Sequence, residues 1–281
     1  LMFDSAPFSH FAPTDYLPAI QKAITESLIE IDHITQNPET ATFDNTIAAL
    51  AYTGLELDRL TAMFFNLNSA ETNKTLQAEA QRISPLLSDY SNDIRLNEAL
   101  FRRVKAVYNQ HGDLSLTAEQ QTLLEKTYKS FTRNGANLSL NDKRRLREID
   151  KQLATLKLKF SKNVLAETQH YQWVITDKNT LSGLPDFVLE MLAQEAKKRN
   201  VQGWVITLDL PVYTAVMKYA DNRNLRQKLF TDYHSRCAGE SAYNNEDNVL
   251  RIAQLRQTRA SLLGYPNYAT FALEERMAET P

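Results

Sequence analysis

The stretch Leu140-Asn-Asp-Lys-Arg-Arg-Leu-Arg-Glu-Ile-Asp-Lys-Gln-Leu-Ala-Thr-Leu-Lys-Leu-Lys-Phe160-Ser-Lys-Asn-Val-Leu-Ala-Glu-Thr-Gln-His170 sets the fold class. Its apolar residues Leu146, Ile149, Leu153, Leu156, Phe160 and Val164 follow one another in steps of three and four. That spacing places them along one side of a long helix over 140–172. The seam has too few repeats to demand a free coiled coil, so it is expected to pack on neighbouring helices. Glycine usage agrees: the chain has 7 in 281 residues, where average usage would supply about 20. Few glycines mean few tight turns, which favours long helices over a sandwich or barrel. The expected class is mainly α.

Before this helix, residues 1–14 carry Pro7 and Pro13 among aromatics and read as an extended lead-in. A helix starts at Tyr16 with a stripe of Leu17, Ile20, Ile24, Leu28, Ile31 and Ile34, and Asn37-Pro38 stops it. A second starts near Phe43 and uses Ile47, Leu50, Leu57, Leu60 and Phe64, with a kink or close helix contact expected at Gly54. Helices are then expected over 71–92, 97–110 and 117–134, the last opened by the capping box Thr117-x-x-Gln120 and closed by Gly135. Beyond His170 the texture changes. Two β-prone runs, 171–176 and 204–209, are expected to pair into a small sheet, with helices over 185–199, 212–220, 222–237 and 246–263 and a last one from Asn267 to about Met277. The chain thus divides into the lead-in, a helical domain over 15–170, and a mixed, mostly helical segment over 171–281.

Composition excludes several roles. A net charge of −2 gives no global attraction to nucleic acid or an anionic membrane, and no apolar run reaches the roughly 20 residues of a membrane span. The start has no charged segment followed by an apolar one, as a secretory leader would. Position 1 is Leu, as expected of a processed or engineered start. Cys237, the single cysteine, can form no intrachain disulfide and reads as a small half-buried hydrophobe. A cytoplasmic protein is expected, a cysteine-poor periplasmic one being the alternative.

Catalytic motifs are missing. Zinc hydrolysis needs nitrogen and carboxylate ligands converging on one ion, often two His four apart on one helix face beside a Glu base. The five histidines, His10, His33, His111, His170 and His234, contain no His-Glu-x-x-His, and each reads as a surface or capping residue. No Gly-x-Ser-x-Gly elbow or Gly-rich phosphate loop occurs. Glu274-Glu275 and Glu246-Asp247 read as solvated faces. The basic run Lys143, Arg144, Arg145, Arg147, Lys151, Lys157, Lys159 and Lys162, against Glu148 and Asp150, also reads as a solvated face. No aromatics alternate with its charges as stacking platforms, so nucleic-acid binding is not expected. Tyr213 and Tyr219, with Arg223, follow a strand and either present side chains to a groove or form half-buried core. Asn73-Lys-Thr75 and Asn137-Leu-Ser139 match the glycosylation pattern by chance.

Seven segments together resemble the N-terminal half of the thimet oligopeptidase and neurolysin family of zinc peptidases, nearest its bacterial peptidyl-dipeptidase and oligopeptidase A branch. They are Asp15-Tyr-Leu-Pro-Ala-Ile, Thr42-Phe-Asp-Asn-Thr-Ile-Ala-Ala-Leu, Phe64-Phe-Asn-Leu-Asn-Ser-Ala-Glu-Thr-Asn, Gly135-Ala-Asn-Leu, Phe160-Ser-Lys-Asn-Val-Leu-Ala-Glu-Thr, Tyr219-Ala-Asp-Asn-Arg and Leu262-Leu-Gly-Tyr-Pro-Asn-Tyr-Ala. The resemblance implies an elongated, almost wholly helical body split by a channel, in which oligopeptide substrates reach one zinc ion. It implies that the metal ligands and catalytic groups lie in a C-terminal half, so that 171–281 leads into a zinc domain not contained in these residues, and this chain holds no zinc and is inactive alone. The portion present would supply one wall of the channel, with the basic run Lys143 to Lys162 and the stretch Tyr213 to Arg223 as wall candidates, Tyr213, Tyr219, Arg223 and Lys157 among them. The stop at Pro281 inside a family-like stretch is expected of an engineered cut, a natural truncation being the alternative. A stand-alone helical scaffold that binds partners without catalysis is the competing reading.

Overall fold

A computed structural model describes residues 8–112 and 114–281; the first seven residues of the expected lead-in lie outside them. The protein is mainly α, as expected. The helices in chain order are α1 (Tyr16–Thr35), α2 (Ala49–Ala51, continuing a π-helical run Phe43–Ala48), α3 (Leu55–Ala70), α4 (Lys74–Arg95), α5 (Glu98–Asn109), α6 (Ala118–Arg133), α7 (Leu140–His170), α8 (Asp186–Lys198), α9 (Leu210–Tyr219), α10 (Arg223–His234), α11 (Glu246–Leu262) and α12 (Tyr268–Leu273). Strands β1 (Trp173–Ile175) and β2 (Trp204–Ile206) pair antiparallel, with Val174 opposite Val205.

Local chemistry explains most of the helix starts. The side-chain oxygen at Thr42, Asn73, Asn97, Thr117 and Asn267 accepts from the backbone N–H three residues on, at 3.2, 2.9, 2.9, 3.3 and 2.8 Å. Each satisfies an amide the helix cannot, worth about 1 kcal/mol. The Thr117 box is complete, since its own N–H donates to Gln120 Oε1 at 3.0 Å. At Gly54 the structure breaks the expected second helix instead of kinking it. Gly54 takes a left-handed φ of 77° ahead of α3. A Cβ there would come 2.9 Å from Ser27 Oγ and from Tyr90 Oη, two groups that hydrogen-bond each other. Close approach of α1 and α4 to this turn requires the glycine.

The chain divides into two compact units, Leu1–Leu158 with Ile252–Pro281, and Lys159–Arg251. The first has three buried clusters. One joins α1, α3 and α4 through Tyr16, Ile20, Leu57, Phe64 and Ile83. Another joins Ile31, Phe43 and Ile47 to α5 and α6 through Leu100, Val104, Leu124 and Phe131. The third joins α7 to α11 through Ile149, Leu153, Ile252 and Leu255. The second unit has its own core, in which β1, β2, α8, α9 and α10 bury Ile175, Val188, Leu192, Ile206, Val216 and Leu229. Among the described residues no helix is long and apolar enough to cross a membrane.

Two expectations about charge are corrected. The basic run on α7 is a solvated face only in part. Lys143 is 6% exposed, with its ammonium 2.9 Å from Glu98 Oε1. Arg147 lies 2.6 Å from Asp93 and Lys151 3.8 Å from Asp89. Spaced four residues apart, these cations line one side of α7 and meet acids of α4 and the start of α5. Glu274 and Glu275 are likewise engaged. Their side chains are 34% and 25% exposed, and they tie the C-terminal helix to α6. Glu275 is bound by Lys126, at 2.6 Å, and by Lys129. Glu274 is bound by Arg133 and, at 2.7 Å, by the Tyr265 hydroxyl. Adjacency in the chain placed the two carboxylates on different sides, but each side faces α6 cations.

Leu146 is fully buried, and Leu146→Ala is expected to cost about 2–5 kcal/mol by loss of apolar contact and cavity formation, read from the urea unfolding midpoint. The α6 clamp gives a pH dependence. Lys126 and then Lys129 hold the Glu275 carboxyl at about 2 instead of 4.5. Its folded pKa lies below its unfolded one, so its contribution is whole above about pH 4.5 and is lost as pH falls toward 2. Between pH 5 and pH 3 the thermal midpoint of Glu275→Gln is expected to fall less than that of the parent. Equal falls would show that the clamp contributes nothing.

Candidate functional site

The four wall candidates fall into two places. Tyr213, Tyr219 and Arg223 belong to the corner between α9 and α10. Asn222 caps α10 by accepting from the N–H groups of Asn224 and Leu225 at 3.0 and 3.2 Å. Arg226 donates to the carbonyls of Ala220 and, at 3.0 Å, Asp221. Asp221 in turn accepts from the Ser182 hydroxyl at 2.8 Å, and its N–H donates to the Ser182 carbonyl at 2.9 Å. The corner is therefore fixed by its own backbone. Tyr213 is half-buried and stacks on Tyr233, with ring centroids 4.0 Å apart; it is core, as one of its two sequence readings held. Tyr219 is 36% exposed, with the Lys218 ammonium 5.0 Å from its ring centroid. Arg223 is exposed at the first residue of α10. The Ser182–Asp221 tie was not legible in the sequence, because 39 residues separate the pair.

Lys157 lies elsewhere, in a cavity of about 320 Å³ lined by α4, α7, α11 and α12 of the first unit. Arg95, Arg256 and Arg259 share that lining with a single carboxylate, Asp150, beside Ser88, Ser91 and Asn92. Arg259 is 9% exposed; it donates to Asp150 Oδ1 at 2.7 Å and Asn134 Oδ1 at 3.0 Å. The other three cations make no ion pair among the described residues. Burial and then the Arg256 charge lower the pKa of Lys157. Arg95 lines the cavity's open side yet is crowded by protein, and this desolvation, then the Arg259 charge, lowers its pKa too. Of this group the sequence singled out only Lys157. Its partners come from helices far apart in the chain.

Among the described residues no group of three or more His, Cys, Asp or Glu side chains is placed to hold a metal ion. All five histidines are exposed. His111, His170 and His234 each bond through Nδ1 to a backbone carbonyl three or four residues back, at 2.7, 2.8 and 2.8 Å. Cys237 is 4% exposed rather than half-buried, and burial pushes its thiol pKa up, with the Glu167 charge adding to it. A buried thiol with a raised pKa is a poor nucleophile.

A test of the rigid corner follows from Gly183, at φ 86°, whose added Cβ would lie 2.4 Å from the Tyr219 carbonyl oxygen. Gly183→Ala is expected to lower the stability of the second unit by about 1–3 kcal/mol and to shift the NMR resonances of Tyr219 and Arg223. Unchanged stability would mean that the corner can give.

Comparison with known proteins shows what the chain is similar to. Residues 216–281 match the model of peptidase family M3. The dipeptidyl carboxypeptidase of Salmonella typhimurium is 32% identical over 282 residues, covering 100% of this chain and 42% of that protein. Oligopeptidase A of Escherichia coli is 28% identical over 283 residues, with 99% and 42% covered. Saccharolysin of Saccharomyces cerevisiae is 25% identical over 273 residues, with 96% and 37% covered. The chain thus spans about two fifths of the length of these relatives. The chain is thus similar along its whole length to part of these peptidases, and its last segment matches the model of peptidase family M3.

Proposed function

We propose that this chain is the non-catalytic N-terminal portion of a zinc metallopeptidase that cleaves short peptides, of the peptidyl-dipeptidase or oligopeptidase type. In this reading a C-terminal catalytic half supplies the zinc ion and the groups that activate water, and the present residues form one wall of the substrate channel. Lys157 in the first unit, and Tyr213, Tyr219 and Arg223 in the second, are the candidates for that role. The complete enzyme acts on oligopeptides in the cytoplasm. The observation that carries this reading is the whole-chain match to peptidases of which the chain spans only about two fifths. A stand-alone scaffold is not favoured, because such matches give no reason for a peptidase sequence without a peptidase.

Translation of the parent gene beyond position 281 is expected to contain His-Glu-x-x-His. The purified 281-residue chain is expected to hold no stoichiometric zinc and to leave a fluorogenic peptide intact. The longer gene product is expected to cleave the peptide and to lose activity with a chelator, regaining it with zinc. Stoichiometric metal and hydrolysis in the short chain, freed of contaminating proteases, would overturn the assignment.

A further inference from the structure

The cavity around Lys157 concentrates cations that the fold does not neutralise. Three helices, α4, α7 and α11, deliver Arg95, Lys157, Arg256 and Arg259 to one wall system, against Asp150 alone. Arg259 takes Asp150 through a 2.7 Å contact and is further held by Asn134. Arg256 lies over the Tyr268 ring at 5.0 Å, a contact that orients the guanidinium without cancelling its charge. Elsewhere on α7 the protein treats cations differently: Lys143, Arg147 and Lys151 each face an acid. The cavity wall is also short of acceptors, for the buried Asn92 side-chain amine has no hydrogen-bond partner. Ser88 and Ser91 add hydroxyl donors to the lining.

We propose that this cavity binds a small oxyanion carrying two or more negative charges, a phosphate or polycarboxylate, through Arg95, Lys157 and Arg256. Three cationic arms around a concave space match the spread of oxygens on such an anion, and guanidinium groups favour planar, paired contacts with them. Binding relieves the repulsion among the cations, so the anion and the fold stabilise each other. The site lies within the first unit, shares Lys157 with the channel wall of the peptidase reading and needs no metal.

The probes are inorganic phosphate, citrate and a triglutamate peptide, titrated by calorimetry into the chain at low ionic strength. One-to-one binding that weakens with added salt is expected for at least one of them. Tighter binding of triglutamate than of citrate would assign the carboxylates to a peptide, and the reverse order to a free anion. Arg256→Gln and Lys157→Gln are each expected to weaken binding about tenfold, the loss of one charge-assisted hydrogen bond. Arg145→Gln, on the same helix but outside the cavity, is expected to leave it unchanged. The Lys157 ammonium pKa, followed by NMR, is expected to rise in the complex. Circular dichroism and the thermal midpoint check that each variant is folded. Absence of binding by all three probes, or binding that the cavity variants and Arg145→Gln weaken alike, would overturn the proposal.

Discussion

Burial of the Leu146–Ile149–Leu153 seam of α7 is the constraint around which the first unit is arranged. The leucines, lysines and arginines of α7 are good helix formers, but a helix of 31 residues in a folded protein draws most of its stability from packing one face. Ile149 and Leu153 are covered by Ile252 and Leu255 of α11. Leu146 fits so closely against Gly135 that a Cβ there would lie 2.7 Å from a Leu146 methyl. Once the seam is turned inward, the residues flanking it are committed. Lys143, Arg147 and Lys151 must meet Glu98, Asp93 and Asp89, and Asp150 must meet Arg259.

The energetic weight of these charges differs with their surroundings. Arg147–Asp93 and Lys151–Asp89 are at least a third exposed on both sides, and such pairs are worth about 0–1 kcal/mol each. They act mainly by excluding other orientations of α7. Lys143 is different, being buried beside a Glu98 that is 58% exposed. Removing Glu98 would leave an ammonium group without a partner and out of water. Arg259 is in the same position with Asp150. Its side chain is 11% exposed, so the pair sits where screening is weak. Asp150 cannot also neutralise the other cations of the cavity, and this one-to-four ratio is what gives the cavity its field.

The same physics bears on how the helices and histidines are arranged. The helices here are held by apolar seams, side-chain caps and peripheral ion pairs, and the histidines are spread over exposed helix ends. A metal centre needs ligands on adjoining faces, each oriented by a further hydrogen bond. The described residues provide hydrogen-bonded corners and a charged cavity.

Much of this was legible in the sequence. The 3.6-residue periodicity of α1 and α7, the Thr117 box, the stop at Asn37-Pro38 and the β-prone character of the two Val-Ile runs depend on residues close in the chain, so local chemistry determined them. The seven family-like segments likewise carried the relation to peptidases without any coordinate. What only the tertiary structure decided was the partner of each charge and the fate of each loop residue. Lys143 and Glu98 are 45 residues apart, Lys126 and Glu275 are 149 apart, and nothing in either neighbourhood marks the other. Gly54 read as a kink or a close helix contact; the close contact is there, with Ser27 of α1 and Tyr90 of α4, and the helix breaks at it, while the identity of those partners was decided elsewhere in the chain. Periodicity reports which face of a helix turns inward; it cannot report what waits there, since that depends on how the helices are brought together in space.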